Sequence, residues 1–240
     1  APLEDFKPRS PEEEDAARRM MGYTDPKTRL IGTVTRLHES KGNVHLVDAA
    51  ATVLRERPDG RFVIVGEGPL QVDLEQQAAR LGISDKVDFL GFQKDVASAL
   101  ASFHVAAFPS LWEGTPLTVF ESLAMGKPIV STDVDGLKDV LVQEQNSLIV
   151  PPRDPGALAA ALIKVLDDRQ LAARLSQNAL VSSSRFDIQV FVDKMSNLYE
   201  LLVERYGRLR FGRPRWDYDR EFAFLEDQEP VAGTFPGGVA

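Results

Sequence analysis

The sequence contains no cysteine. Disulfides, thiolate nucleophiles and cysteine metal sites are therefore excluded, and the composition fits a reducing compartment. Histidine is scarce: His38, His45 and His104 are the three, and no two have ligand-like spacing with a nearby acid pair. No metal centre is expected from that pattern. No stretch approaches the ~18 consecutive apolar residues of a membrane-spanning helix. There is no basic run, and the net charge of −8 argues against nucleic acid as a partner. The opening Ala1-Pro2-Leu3-Glu4-Asp5 lacks both a basic n-region and an initiator Met. It is not a signal peptide, and it reads as the start of a fragment or processed chain.

The 240 residues are 43% hydrophobic, enough for one large domain or two small ones with a sizeable core. A regular rhythm starts at Leu30-Ile31-Gly32-Thr33-Val34. It predicts strands over 30–34, 61–65, 87–90, 105–108, 129–131 and 147–150. Between and after them it predicts helices over 43–57, 69–81, 95–102, 116–125, 155–167, 169–183 and 188–206. Alternation of this kind implies a parallel sheet with helices on both faces, a Rossmann-like α/β fold whose ligands lie at the carboxyl ends of the strands. Residues 1–28 read as a linker with a peripheral helix, in which Ser10 caps and Pro11 is the first helical residue. Residues 29–206 read as the main domain. Residues 207–240 lose the pattern and mix Arg208, Arg210, Arg213 and Arg215 with Trp216, Phe222 and many acids. That tail is expected to pack on a partner domain or chain rather than on nucleic acid.

One stretch organises the rest: Pro109-Ser110-Leu111-Trp112-Glu113-Gly114-Thr115-Pro116-Leu117-Thr118-Val119-Phe120-Glu121-Ser122-Leu123-Ala124-Met125-Gly126. A strand ends before it, a loop carries Trp112-Glu113-Gly114, and a helix follows, with Pro116 expected as its first residue. The helix start attracts an anion. Glu113 and Glu121 lie eight positions apart, which on its own describes two solvated acids on a helix flank. Context favours function: Glu121 sits among Val119, Phe120, Leu123 and Ala124, where a bare carboxylate is costly. Of the other exit loops, Thr35 to Gly42 holds the clustered cations Arg36 and Lys41, suited to phosphate. It is not a P-loop, and Gly66-Glu67-Gly68 lacks the third glycine of a dinucleotide fingerprint. Gly91-Phe92-Gln93 offers an aromatic ring and free backbone groups, which suit a base or a plain strand end equally.

Taken together, Thr33-Val34-Thr35-Arg36-Leu37 with Lys41-Gly42, Val65-Gly66-Glu67-Gly68-Pro69-Leu70, Phe89-Leu90-Gly91-Phe92, and Pro109-Ser110-x-x-Glu113-Gly114 leading to Glu121-Ser122-Leu123-Ala124-Met125-Gly126-Lys127-Pro128 resemble the family 4 retaining glycosyltransferases. The resemblance covers about residues 28–205. It implies the C-terminal, donor-binding half of the two-domain GT-B architecture, and with it sugar transfer from a nucleoside-diphosphate sugar to an acceptor hydroxyl, as in polysaccharide biosynthesis. Arg36, Lys41 and Glu113 would form the catalytic group: the two cations on the donor diphosphate, Glu113 on a hydroxyl of the transferred sugar. Glu121 would accept from the ribose hydroxyls. Backbone groups of Gly114, Thr115, Pro116, Leu117 and Thr118 would contact sugar and phosphate, and Gly66, Gly91, Phe92 and Gln93 would complete the donor pocket. No cofactor or metal is implied, because cations and helix N-termini neutralise the leaving group. A cytoplasmic location follows from the resemblance, with peripheral contact at the cytoplasmic membrane face compatible with it.

The chain departs from the family pattern where Thr35 precedes Arg36 and where Thr115-Pro116-Leu117 follows the first glutamate loop. The family's acceptor-binding half has no counterpart here, so an N-terminal acceptor domain, in cis or in trans, is the expected partner. The alternatives are a non-catalytic nucleotide-sugar-binding module and a sugar-nucleotide epimerase of the same fold.

Overall fold

The computed structural model describes residues 3–114 and 116–206. Thr115 and the expected tail 207–240 lie outside the described residues. The elements run α1 (Pro11–Met20), β1 (Arg29–Val34), α2 (Asn43–Glu56), β2 (Gly60–Val65), α3 (Gln71–Arg80), β3 (Val87–Gly91), α4 (Val96–Ser102), β4 (Val105–Phe108), α5 (Leu117–Ala124), β5 (Ile129–Thr132), α6 (Asp135–Lys138), β6 (Leu148–Val150), α7 (Pro155–Asp167), α8 (Arg169–Ser183) and α9 (Ile188–Tyr206). The chain divides into two units, Ala1–Asp193 and Lys194–Ala240, and the described part of the second is the C-terminal portion of α9.

All strand pairings in the sheet are parallel, in the order β3-β2-β1-β4-β5-β6. The expected Rossmann-like parallel sheet is the observed one. Its order reverses between β1 and β4, and that switch point is where doubly wound sheets open a crevice for ligands. The strands are short, and β1, β2, β4 and β5 are almost wholly buried because helices cover both faces, while the edge strand β3 is mostly half-buried. One core joins Ile31, Phe62, Ile64, Val105 and Val130 to α2, α3 and α7. The other face packs Leu30, Val63, Val65 and Phe103 with α1 and α4. A third cluster sets Val119 and Leu123 of α5 against Phe108, Ile129 and Ala179 of α8.

Helix starts follow local chemistry. Ser10 and Glu13 form a reciprocal capping box on α1, and Asp95, Asp154 and Asp168 cap α4, α7 and α8. The Lys127 ammonium is buried; it donates to the carbonyls of Ala101 and Phe103 at 2.8 and 3.2 Å and to Glu14 of α1. Burial lowers its pKa, and Glu14 opposes the shift. Two details differ from expectation. The four-residue α6 was not anticipated, being too short to show a helical period. Pro116, expected as the first helical residue, is the capping residue (φ −81°, ψ 76°), and α5 starts at Leu117. Its carbonyl accepts from Val119 N–H at 3.0 Å, so it opens the helix without needing an N–H of its own.

Candidate functional site

The exit loops are stitched into one rim along the carboxyl edge of the sheet. At the β3–β2 end, Gly66 N–H donates to the Gly91 carbonyl at 2.8 Å, and Phe92 N–H donates to Glu67 Oε1 at 3.3 Å. The β2 loop joins the β1 loop through Leu37 N–H and the Glu67 carbonyl, 2.9 Å apart. Glycine is required at position 66, where φ is +125° and a Cβ would lie 1.9 Å from the Thr35 carbonyl oxygen. The β1 loop joins the β4 loop through Leu111 N–H, which donates to the Ser40 carbonyl at 2.7 Å. The β5 side closes the rim, where a Cβ at Gly136 of α6 would lie 2.2 Å from the Glu113 carbonyl oxygen.

At the switch point Lys41 meets Glu113. Lys41 Nζ lies 2.8 and 2.7 Å from Glu113 Oε1 and Oε2. The Glu113 side chain is 8% exposed and that of Lys41 27%. Ser110 Oγ donates to Glu113 Oε1 at 2.6 Å. The Ser110 carbonyl in turn accepts from Thr132 Oγ1 at 2.5 Å, and both residues are buried. A hydrogen-bonded chain thus runs from the end of β5 through Ser110 and Glu113 to Lys41. Ser110 and Thr132 carried no expected role. The signals for Ser110 are its place directly after a strand and a proline and its position in the Pro109-Ser110-x-x-Glu113-Gly114 motif.

Arg36 is exposed, and among the described residues its guanidinium has no ion-pair partner. The two cations of the loop therefore differ: one is held, one is free. His38, a weaker candidate for phosphate, uses Nδ1 to accept from Ser40 N–H at 3.3 Å and so caps the turn before Gly42.

Glu121 lies in the middle of α5, behind half-buried Phe120, whose ring stacks on Phe186 with centroids 4.9 Å apart. Its Oε2 is buried without a hydrogen-bond partner, and among the described residues Glu121 is the one carboxylate with such an atom. Desolvation raises its pKa above the ordinary carboxylate range. Glu113 and Glu121 are thus in different states: one is paired twice over, the other has a buried oxygen with no donor among the described residues.

Of the remaining expected residues, Gly114 is exposed, Pro116 buried, Leu117 exposed and Thr118 half-buried. The Leu117 and Thr118 N–H groups donate to none of the described residues. The Phe92 ring is 70% exposed, while the Gln93 amide donates to the Leu90 carbonyl at 2.8 Å, and its oxygen accepts from none of the described residues. Trp112 is 65% exposed beside Glu113. His104 is remote from the rim: its Nδ1 accepts from Leu30 N–H at 3.0 Å, and burial pushes its pKa down to about 3. Among the described residues no group of three His, Asp or Glu side chains could hold a metal ion. No helix among them is long and apolar enough to cross a membrane.

A six-stranded sheet of this order, with Lys41 and Glu113 paired at the switch point, defines a doubly wound α/β domain. Residues 22–181 match the family model of the glycosyl transferases group 1, and the chain belongs to that family. It is 29% identical over 201 residues to the lipopolysaccharide core biosynthesis mannosyltransferase LpsB of Rhizobium meliloti, covering 80% of this chain and 57% of that protein. Anabaena Alr3699/HepE, solved with UDP and glucose, superposes with a TM-score of 0.76 at 26% identity, over 83% of this chain and 55% of that one. The C-terminal domain of LpcC, a group 1 glycosyl transferase from Francisella tularensis, shares the fold with a TM-score of 0.71 at 22% identity. That match covers 78% of this chain and 99% of the LpcC domain. The chain spans about half the length of the curated relatives it matches.

Proposed function

We propose that this chain is the donor-binding half of a retaining glycosyltransferase that moves a sugar from a nucleoside-diphosphate sugar to an acceptor hydroxyl. The observation that carries the reading is the unpartnered, buried Oε2 of Glu121 on the helix that leaves the switch point. A buried carboxylate without donors is costly, and a ligand bearing two adjacent hydroxyls removes that cost. A ribose supplies such hydroxyls. The diphosphate then falls to the free Arg36, to Lys41 and to the N-terminus of α5, which together neutralise the charge that develops as the nucleoside diphosphate leaves. Glu113 receives a hydroxyl of the transferred sugar. The exposed Phe92 ring and the Gln93 amide oxygen face the base.

Family membership and the complex of HepE with UDP and glucose support this assignment. The match over nearly the whole of the isolated LpcC C-terminal domain supports the half-molecule reading. The partner is an N-terminal acceptor-binding domain, in cis or in trans, and a cytoplasmic location is part of the proposal. Calorimetric titration of the chain with a panel of nucleoside diphosphates and their sugars tests it. One nucleotide series should bind at one site, and Glu121→Ala should weaken free nucleotide and sugar donor alike. Absence of binding by the whole panel, or Glu121→Ala binding as wild type, contradicts the reading.

A further inference from the structure

Resting on that reading, we infer that Lys41 and Glu113 form a latch which the donor diphosphate opens, and that Ser110, pinned by Thr132, is the positioning residue that keeps Glu113 in it. The cation that must meet the phosphates and the carboxylate that must meet the sugar are bonded to each other, at 2.7 and 2.8 Å. Both Glu113 oxygens face the one ammonium, and Oε1 also accepts the hydrogen bond donated by the Ser110 hydroxyl. In this state Glu113 offers little to a sugar hydroxyl, and the charge of Lys41 is already neutralised. A diphosphate carries more negative charge than a carboxylate and competes for Lys41. As Lys41 turns to it, Glu113 loses one partner but keeps Ser110. One carboxylate oxygen stays fixed and the other is released toward the sugar. The diphosphate thereby prepares the sugar subsite, and a sugar without its diphosphate meets a closed one. Glu113 is 8% exposed, so it cannot simply swing into water when the latch opens. The Thr132–Ser110 bond at 2.5 Å anchors its inner end to β5, so the released oxygen has a defined direction.

The test is a double-mutant cycle on the full chain, read by titration with whichever of uridine, guanosine and adenosine diphosphate the wild-type chain binds. Glu113→Gln keeps the shape of the side chain and removes its charge. It should tighten the free nucleoside diphosphate by about three- to tenfold, the scale of one partly buried ion pair. In the Lys41→Ala background the same substitution should change nothing, because there is no latch to release. An equal gain with and without Lys41 would mean plain repulsion between Glu113 and the phosphates, and would overturn the latch. So would an unchanged or weaker affinity in Glu113→Gln. Ser110→Ala is the second variant and leaves every charge in place. It should also tighten the free nucleotide while reducing the extra affinity contributed by the sugar, a pair of opposite shifts that a loss of fold cannot produce. Equal weakening of both ligands in Ser110→Ala would reduce Ser110 to a structural residue and overturn its part. A wild-type chain that binds no nucleoside diphosphate, whatever its base, refutes the donor-site reading itself. Binding that ignores Glu113 refutes only the latch.

Discussion

Gly42 sets the Cα of the cationic loop against the carbonyl of Pro109: a Cβ there would lie 2.0 Å from that oxygen. Its φ of +62° is also in the region that disfavours side chains. Both halves of the site depend on this approach, since Lys41 precedes Gly42 and Glu113 follows Pro109. Gly42→Ala should therefore part the two loops. A loss of roughly 2–4 kcal/mol in unfolding free energy is expected, the range for a backbone clash added to a strained φ. Urea unfolding measures the loss, and nucleotide titration at a temperature where the variant stays folded should show weakened binding. Wild-type stability and affinity would mean that the close approach has no consequence.

The two cations should behave differently. Arg36 is exposed and has no ion-pair partner among the described residues, so Arg36→Ala should leave stability within about 0.5 kcal/mol while weakening nucleotide binding by roughly 1.5–3 kcal/mol. That loss should shrink as salt is raised. Lys41→Ala should weaken binding as well and should also lower the melting temperature, because it strands a Glu113 side chain that is 8% exposed. Melting curves of the two variants at several salt concentrations separate them. Identical profiles would contradict the assignment of one free and one held cation.

Glu121 sets function against stability. Its carboxylate is desolvated and its pKa raised. A raised folded pKa means that the native state holds its proton longer than the unfolded chain does. The native state therefore loses stability as pH rises through that window above the ordinary carboxylate range. Glu121→Gln removes the charge and should raise the melting temperature at pH 8. The same variant should bind nucleotide more weakly, because a ribose hydroxyl gives up a charged acceptor. A variant that is both less stable and equally tight would show that Glu121 has a donor in the free protein.

His104 gives the opposite pH signature. Burial, with Arg18, Arg29 and Lys127 nearby, pushes its pKa down to about 3. The unfolded chain takes up this proton near pH 6.5, and the native state does not. Stability should therefore fall as pH drops from ~6.5 toward 3, by up to ~1.4 kcal/mol per pH unit from this group. His104→Asn keeps a side-chain acceptor for Leu30 N–H without the titration. In urea unfolding, the stability of wild type relative to His104→Asn should fall steadily from pH 7 to pH 4. A difference independent of pH would mean that His104 titrates normally.

Much of the fold is legible because its signals are local. Gly and Pro punctuate the strand exits at Gly66, Gly91 and Pro109, and apolar runs of strand length stand between helical periods. The capping box at Ser10 and Glu13 can be read from four consecutive residues. The four-residue α6 has no period to detect, and the start of α5 depends on the backbone angles of Pro116, which spacing does not set. At the site, the residue types at Arg36, Lys41, Glu113 and Glu121 mark a charged rim. What they do not reveal is that Lys41 holds Glu113 across 72 positions. That contact exists because β1 lies beside β4, a non-local pairing decided by how the whole sheet packs. The same holds for Thr132, which reaches Ser110 only because β5 lies beside β4.

On the function proposed above, this chain holds the donor for a retaining transfer and the acceptor is held elsewhere. Positioning two substrates together can be worth ~7–11 kcal/mol, and every group assigned at this rim faces the donor. The direct measurement is sugar transfer across an acceptor panel by residues 1–240 alone and after an N-terminal acceptor domain is supplied, with the anomeric configuration of the product read by NMR. The expected result is no transfer by the chain alone, and transfer with retained configuration once the second domain is present. Robust transfer by the chain alone as a monomer, or an inverted product from the assembled enzyme, would contradict it.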